Sequence, residues 1–291
     1  MANEVQKKPT TGLQAFNQTI TNPSTQKYLS DVLGERKGSF VNNLTALVAN
    51  NVNLQECQPL TLMFAALKAT ALNLPLENSL GMAYCIPYKD NKKGVTVAQF
   101  QLGYKGFVQL SLRSGQFKII PRATEIKEGE LKSRNRLTGE CSFEFIEDDA
   151  VRSKAKTIGY ASYFKLLNGA ESTFYMSIEE MQAHALRYSQ TYRSKYDNIK
   201  QASKWTTDFD DMAKKTVLKL NLSKNAPLSV EMQDAIRADQ SVQYEADKYE
   251  YTDNDDMEQQ MLDAQKAQEV ANKFANFDNE GEPADDKQNK K

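Results

Sequence analysis

Apolar residues recur along this chain with two different periods. From Ser39 onward, Phe40, Leu44, Leu47 and Val48 fall at i, i+4, i+7 and i+8, the spacing of one helix face. A second helix is predicted from Pro59, a residue suited to a first helical turn, through LTLMFAALKATAL to Pro75. Strand patterns follow. Residues 82–88 and 95–102 flank the polar turn 89–94 and read as a hairpin with a longer loop. Residues 103–115 carry Phe107, Val108, Leu110 and Leu112 and predict a short helix. Further strands are expected at 117–126, 141–146, 158–166 and 171–176. The last two are joined through Leu167-Asn168-Gly169, where Asn-Gly accepts positive φ at little cost. Helices return at 177–188 and about 208–223. Strands in the middle with helices at both ends predict an α+β fold rather than a regular βαβ alternation.

The two ends of the chain lack this patterning. Residues 1–36 are rich in Thr, Asn, Gln and Lys and read as an N-terminal arm, loosely ordered or contacting a neighbouring subunit. Residues 37–225 are the expected core. Beyond Pro227, Leu, Ile, Val and Phe make up only 8 of the last 66 residues, the composition of a largely disordered tail. Within it Val270, Phe274 and Phe277 keep helical spacing, which suits a short helix that docks on a protein partner. Charge divides at the same place. The whole chain has a net charge of −1, yet residues 1–225 carry 30 Lys and Arg against 21 Asp and Glu, net +9. Residues 226–291 carry 7 against 17, net −10. A basic body and an acidic tail cancel.

Several classes of chemistry find no material here. No run approaches the roughly 18 apolar residues of a membrane span, and the polar start has no signal-peptide core, so the expected location is the cytoplasm. Cys57, Cys85 and Cys141 form no CxxC pair, and His184 is the single histidine, so neither a zinc site nor a disulfide framework is expected. There is no GxxxxGK[ST] run, and Gly103-Tyr104-Lys105-Gly106 is too short for a dinucleotide loop. No cofactor is expected. Two carboxylate groups, Glu125/Glu128/Glu130 and Asp208/Asp210/Asp211, are the material for a metal-dependent nuclease. For the second, acids in the first turn of a helix with lysines four residues on are equally ordinary helix chemistry.

Cations interleaved with aromatics are more informative. Tyr104, Lys105, Phe107, Arg113, Phe117, Lys118 and Arg122 lie within twenty residues, and a second cluster runs through Arg187, Tyr188, Tyr192, Arg193, Lys195, Lys200, Lys204 and Trp205. Cations neutralise phosphates while aromatic faces stack on bases without regard to sequence, a combination suited to single-stranded nucleic acid. In the following helix Phe209, Met212, Ala213, Thr216, Val217 and Leu220 form an apolar face. Lys215 and Lys219 stand away from it and Lys214 flanks it, a row able to follow a phosphate backbone.

Four blocks, ALNLPLENSLGMAYCIPY (71–88), AQFQLGYKGFVQLSLRSGQFKIIPRATEIKEGE (98–130), GYASYFKLLNGAESTFYMSIEEMQAHALRYS (159–189) and WTTDFDDMAKKTVLKLNLSKNAPLS (205–229), closely resemble the RecT family of phage and prophage single-strand annealing recombinases. The resemblance implies a small curved antiparallel β-sheet packed with helices, distantly like Rad52-type annealing proteins. It also implies an ATP-independent, non-enzymatic activity: coating single-stranded DNA as a ring or helical filament and pairing it with a complementary strand in homologous recombination. The implied partners are single-stranded DNA and the annealed duplex, further copies of the chain, a 5′→3′ exonuclease and the host single-stranded DNA-binding protein. Tyr104, Lys105, Phe107, Arg113, Lys118, Arg122, Arg187, Arg193, Lys200, Lys204, Trp205, Lys214, Lys215 and Lys219 become the candidate DNA contacts. Two rivals stand beside this reading, a passive coating protein and the nuclease named above.

Overall fold

Asparagine and proline set the first boundaries of the chain in the computed structural model, which describes residues 12–90, 93–245 and 248–250. Helix α1 (Gly12–Ile20) is followed by Asn22, whose side chain accepts the Ser24 N–H at 3.0 Å, and Pro23 then starts α2 (Pro23–Leu33) where its missing N–H is harmless. Residues 12–33 are therefore not a loosely ordered arm. Phe16, Ile20, Leu29 and Leu33 are buried in the core, two from each short helix. Helices α3 (Lys37–Ala49) and α4 (Val52–Gln55) continue the layer, with Phe40, Leu44, Val48 and Leu54 inward. Helix α5 (Pro59–Ala71) runs through the middle of this layer, which is why its apolar run is nearly continuous rather than striped. Its buried Thr61 accepts the Ala98 N–H at 2.9 Å, so a polar atom in the core has a partner and joins helix to strand.

The predicted hairpin forms from β1 (Ala83–Asp90) and β2 (Val95–Leu102), in register from Ala83 opposite Leu102 to Asp90 opposite Val95. Helix α6 (Tyr104–Ser114) ends on Gly115, whose φ of 64° is the left-handed cap that glycine adopts most readily. Strand β3 (Phe117–Lys127) leads to a separate small hairpin, β4 (Leu131–Arg134) with β5 (Cys141–Phe143), and a short helix α7 (Asp149–Lys154) capped by Asp148. The expected strand at 141–146 thus stops at Phe143. Strands β6 (Thr157–Leu166) and β7 (Glu171–Ser177) complete a three-stranded antiparallel sheet in the order β3-β6-β7. Gly169, at φ 90°, makes the β6–β7 turn.

Helix α8 (Ile178–Tyr188) opens with a reciprocal capping box between Ser177 and Glu180. Two short helices, α9 (Asp197–Gln201) and α10 (Lys204–Thr207), precede α11 (Phe209–Asn225), which lies across one face of the sheet. Buried Asn221 fixes it there, donating to the Ser162 carbonyl at 3.1 Å and accepting from the Ser172 hydroxyl at 2.8 Å. The fold is α+β, as expected.

The packed body does not stop at residue 225. Helix α12 (Val230–Ala238) buries Met232, Ala235 and Ala238, and β8 (Val242–Glu245) pairs with β9 (Lys248–Glu250). Gln240 donates its backbone N–H to the Phe100 carbonyl at 3.0 Å, laying the segment along β2. Moving the boundary to residue 250 changes the charges: residues 1–250 carry 32 Lys and Arg against 27 Asp and Glu, net +5, and residues 251–291 carry 5 against 11, net −6. The helical spacing at Val270, Phe274 and Phe277 lies outside the described residues.

Candidate nucleic-acid interface

Three glycines explain the Gly-Tyr-Lys-Gly segment. A Cβ on Gly103 would sit 2.1 Å from the Gly81 carbonyl oxygen, and one on Gly106 would sit 2.1 Å from that of Met82. The loop before β1 therefore lies directly on the first turn of α6, an approach only glycine permits. The same contact brings the Tyr84 ring and the Lys105 stem together around Gly81. Lys105 itself is exposed, as are Lys118 and Arg122 on β3. Two aromatics of this cluster point inward: Phe107 is fully buried, and the Tyr104 hydroxyl accepts the Ala123 N–H at 3.0 Å. Arg113 donates to the carbonyls of Leu72 at 2.7 Å and Asn73 at 2.9 Å, so its guanidinium closes the C-terminal end of α5.

The second cluster is organised around Trp205. This ring is 7% exposed and packs with Tyr160, Met181, Ala213 and Val217. Phe209 lies 5.6 Å from it edge-on, and His184 and Tyr192 at 6.4 and 6.5 Å. Trp205 is thus the anchor of the 189–203 excursion. The cations surround it on the exposed rim. Arg187 lies over the Tyr188 ring at 5.3 Å, Arg193 donates to the Arg187 carbonyl at 3.1 Å, and Lys200 approaches the Tyr192 ring at 5.9 Å. Lys204 pairs with Asp208 at 2.9 Å. Burial, then the charges of Lys219, Lys224 and Arg187, lower the pKa of His184 to about 4. Burial is the larger cause, because it disfavours the charged imidazolium, and the cations add to it.

The lysines of α11 face elsewhere than the helical wheel suggests. Lys219 pairs at 2.5 Å with Asp239, whose carboxylate is fully buried and also accepts the Leu102 N–H at 2.8 Å. Burial raises the pKa of this carboxyl, but Lys219 and Lys215 outweigh it and hold the group below the ordinary range. Desolvation lowers the Lys215 pKa, with Asp239 opposing it. Lys215 and Lys219 therefore face the C-terminal segment, and Lys214 is half-buried. The structure brings Lys118 and Arg122 onto one strand and the 187–204 cations onto one rim.

The carboxylates have their own partners. Glu130 is fully buried and accepts from Arg152 Nε at 2.7 Å and the Lys127 N–H at 2.7 Å. Asp208 accepts from Lys204 and Thr207, and Asp210 accepts from the Tyr160 hydroxyl. Among the described residues no group of three or more His, Cys, Asp or Glu side chains is placed to hold a metal ion. The three cysteines are free, and burial pushes the Cys57 thiol up to about 12, far from a reactive thiolate. No helix among the described residues is long and apolar enough to cross a membrane.

One surface joins Arg122 of the first cluster to residues outside both. Helix α11 covers one face of the sheet; on the other, the β4–β5 hairpin covers only part, with Leu131, Cys141 and Phe143 against Ile126, Ala161 and Tyr175. Cross-strand register places Arg122, Tyr163 and Thr173 in one row of that second face and Ile119, Lys165 and Glu171 in the next. The signal for Tyr163 and Lys165 was available. In the β6 segment they alternate with the core residues Phe164 and Leu166.

The chain matches the model of the RecT family over residues 38–259. It is 37% identical over 259 residues to YqaK, an uncharacterised protein of Bacillus subtilis (strain 168), covering 86% of this chain and 83% of that one. It is 26% identical over 196 residues to Protein RecT of Escherichia coli (strain K12), covering 64% and 65% respectively. The family match takes in the sheet, the 187–204 rim and the C-terminal segment held by Asp239. The chain belongs to the RecT family.

Proposed function

We propose that this protein anneals complementary single strands of DNA in recombination, without nucleoside triphosphate and without a catalytic residue. Family membership supports the annealing role, and one structural observation supports the surface that performs it. Among the described residues no carboxylate stands within ion-pair distance of Lys105 on α6 or of Lys118 and Arg122 on β3. Unneutralised cations on rigid elements attract a polyanion and release its counterions. Two strands repel through their phosphates; neutralising the first lets a second approach. Contacts to phosphate and sugar leave base edges free, so sequence selectivity lies in pairing, where stacking supplies about 1.4 kcal/mol per step. Assembly of several copies along a strand, as a ring or filament, holds it extended for that search.

Residues 251–291 are the proposed contact for an exonuclease or a host single-stranded DNA-binding protein, since net −6 is unsuited to DNA. Binding of a labelled oligo-dT across a salt series tests the reading. Affinity should fall steeply as salt rises, and the strand should stay intact with magnesium. Salt-independent binding, or degradation, contradicts it.

A further inference from the structure

An antiparallel sheet tolerates water on one face, so an uncovered face alone means little. What distinguishes this one is the chemistry of its two open rows. Tyr163 lies at the centre of the middle strand, half-buried, with exposed Arg122 beside it on β3. In the next row Lys165 donates to Glu171 at 2.8 Å, and the Tyr163 hydroxyl donates to the same carboxylate oxygen, also at 2.8 Å. Glu171 is the one carboxylate in these rows. Its side chain is 52% exposed and that of Lys165 32%, so water competes readily for the pair.

A phosphodiester is a monoanion whose non-bridging oxygens accept hydrogen bonds as a carboxylate does. One placed where the Glu171 carboxylate now sits would keep both donors satisfied and add Arg122, while the Tyr163 ring offers a face to the adjoining base. We propose that Arg122, Tyr163 and Lys165 form a contact site for one nucleotide unit of single-stranded DNA, with Glu171 holding the phosphate position until DNA displaces it. This rests on the DNA-binding reading above and extends it from Arg122, in the first basic cluster, to Tyr163 and Lys165, which neither cluster includes. Glu171 then acts as a gate on affinity: it keeps the donors preorganised and sets how strongly a strand must bind to enter.

The test uses the full chain and a fluorescently labelled oligo-dT, titrated at several salt concentrations. Glu171→Gln should tighten binding severalfold, because the resident charge is gone while the site remains. Glu231→Gln, an equal change of net charge at an exposed position of α12, should have a much smaller effect; an equal gain there overturns the proposal. Lys165→Ala should weaken binding and lower the slope of log affinity against log salt by about 0.7, the loss of one phosphate contact on a single strand. Tyr163→Phe keeps the ring and should bind well, whereas Tyr163→Leu should bind roughly fivefold or more weakly. If the Glu171, Lys165 and Tyr163 variants, with unchanged melting temperatures, all bind as the unsubstituted protein does, this face is no DNA site although the protein still binds DNA. If the unsubstituted protein fails to bind, the wider reading falls with it.

Discussion

Single residues in this chain divide by what they touch rather than by type. Trp205 has the composition of a base-stacking residue in a basic segment, yet its ring is the anchor on which the 189–203 excursion turns. Its replacement should therefore act on stability. Trp205→Ala is expected to cost about 3–5 kcal/mol in chemical denaturation, the scale of a buried tryptophan; a variant that melts normally but loses DNA would return Trp205 to the surface. His184 gives a pH signature at the same place. Its pKa of about 4 lies below the unfolded value near 6.5, so it stays neutral when folded. The stability that depends on its neutrality is complete above about pH 6.5 and is lost as pH falls toward 4. Melting temperature should decline across that window, and His184→Gln should flatten the decline; an unchanged profile excludes the linkage. Neither role could be seen in sequence, because a cation beside an aromatic looks the same on a rim as over a core.

At the scale of elements, strands were more legible than short helices. The β1–β2 and β6–β7 hairpins follow from alternation and turn chemistry, and β2 begins and ends where its pattern does. Helices α1, α2 and α12 escaped notice because each buries few residues: Phe16 and Ile20, Leu29 and Leu33, or Met232 with the small side chains of Ala235 and Ala238. Alanines do not mark a face the way leucines do, and the acidic composition around α12 disguised a packed helix as tail. Asp239 shows what that segment does. Its buried carboxylate joins α11, through Lys219, to the end of β2, and removing one partner of such a pair is strongly destabilising. A chain ending after Glu250 should keep the cooperative unfolding of the full protein, while one ending after Ala226 should lose it or aggregate. Equal melting of the two would show that α12 and β8 are dispensable.

For the whole molecule, the net charge of −1 is a cancellation, and the structure moves where the cancellation occurs. The packed body, extended to residue 250, is less basic than the sequence division suggested, at net +5. DNA binding must then come from where the cations lie. Lys215 and Lys219 face Asp239, and Arg113 closes a helix. Lys105 on α6 and Lys118 and Arg122 on β3 have no carboxylate within ion-pair distance, and the site proposed on the open sheet face adds Tyr163 and Lys165 to them. The central claim is that this surface pairs complementary strands without an energy source. Annealing of two complementary labelled oligonucleotides, followed by fluorescence quenching in magnesium buffer free of nucleoside triphosphate, tests it most directly. The account predicts pairing faster than the spontaneous rate, with the acceleration lost at high salt. Pairing no faster than the protein-free control, or acceleration only when ATP is added, would contradict it.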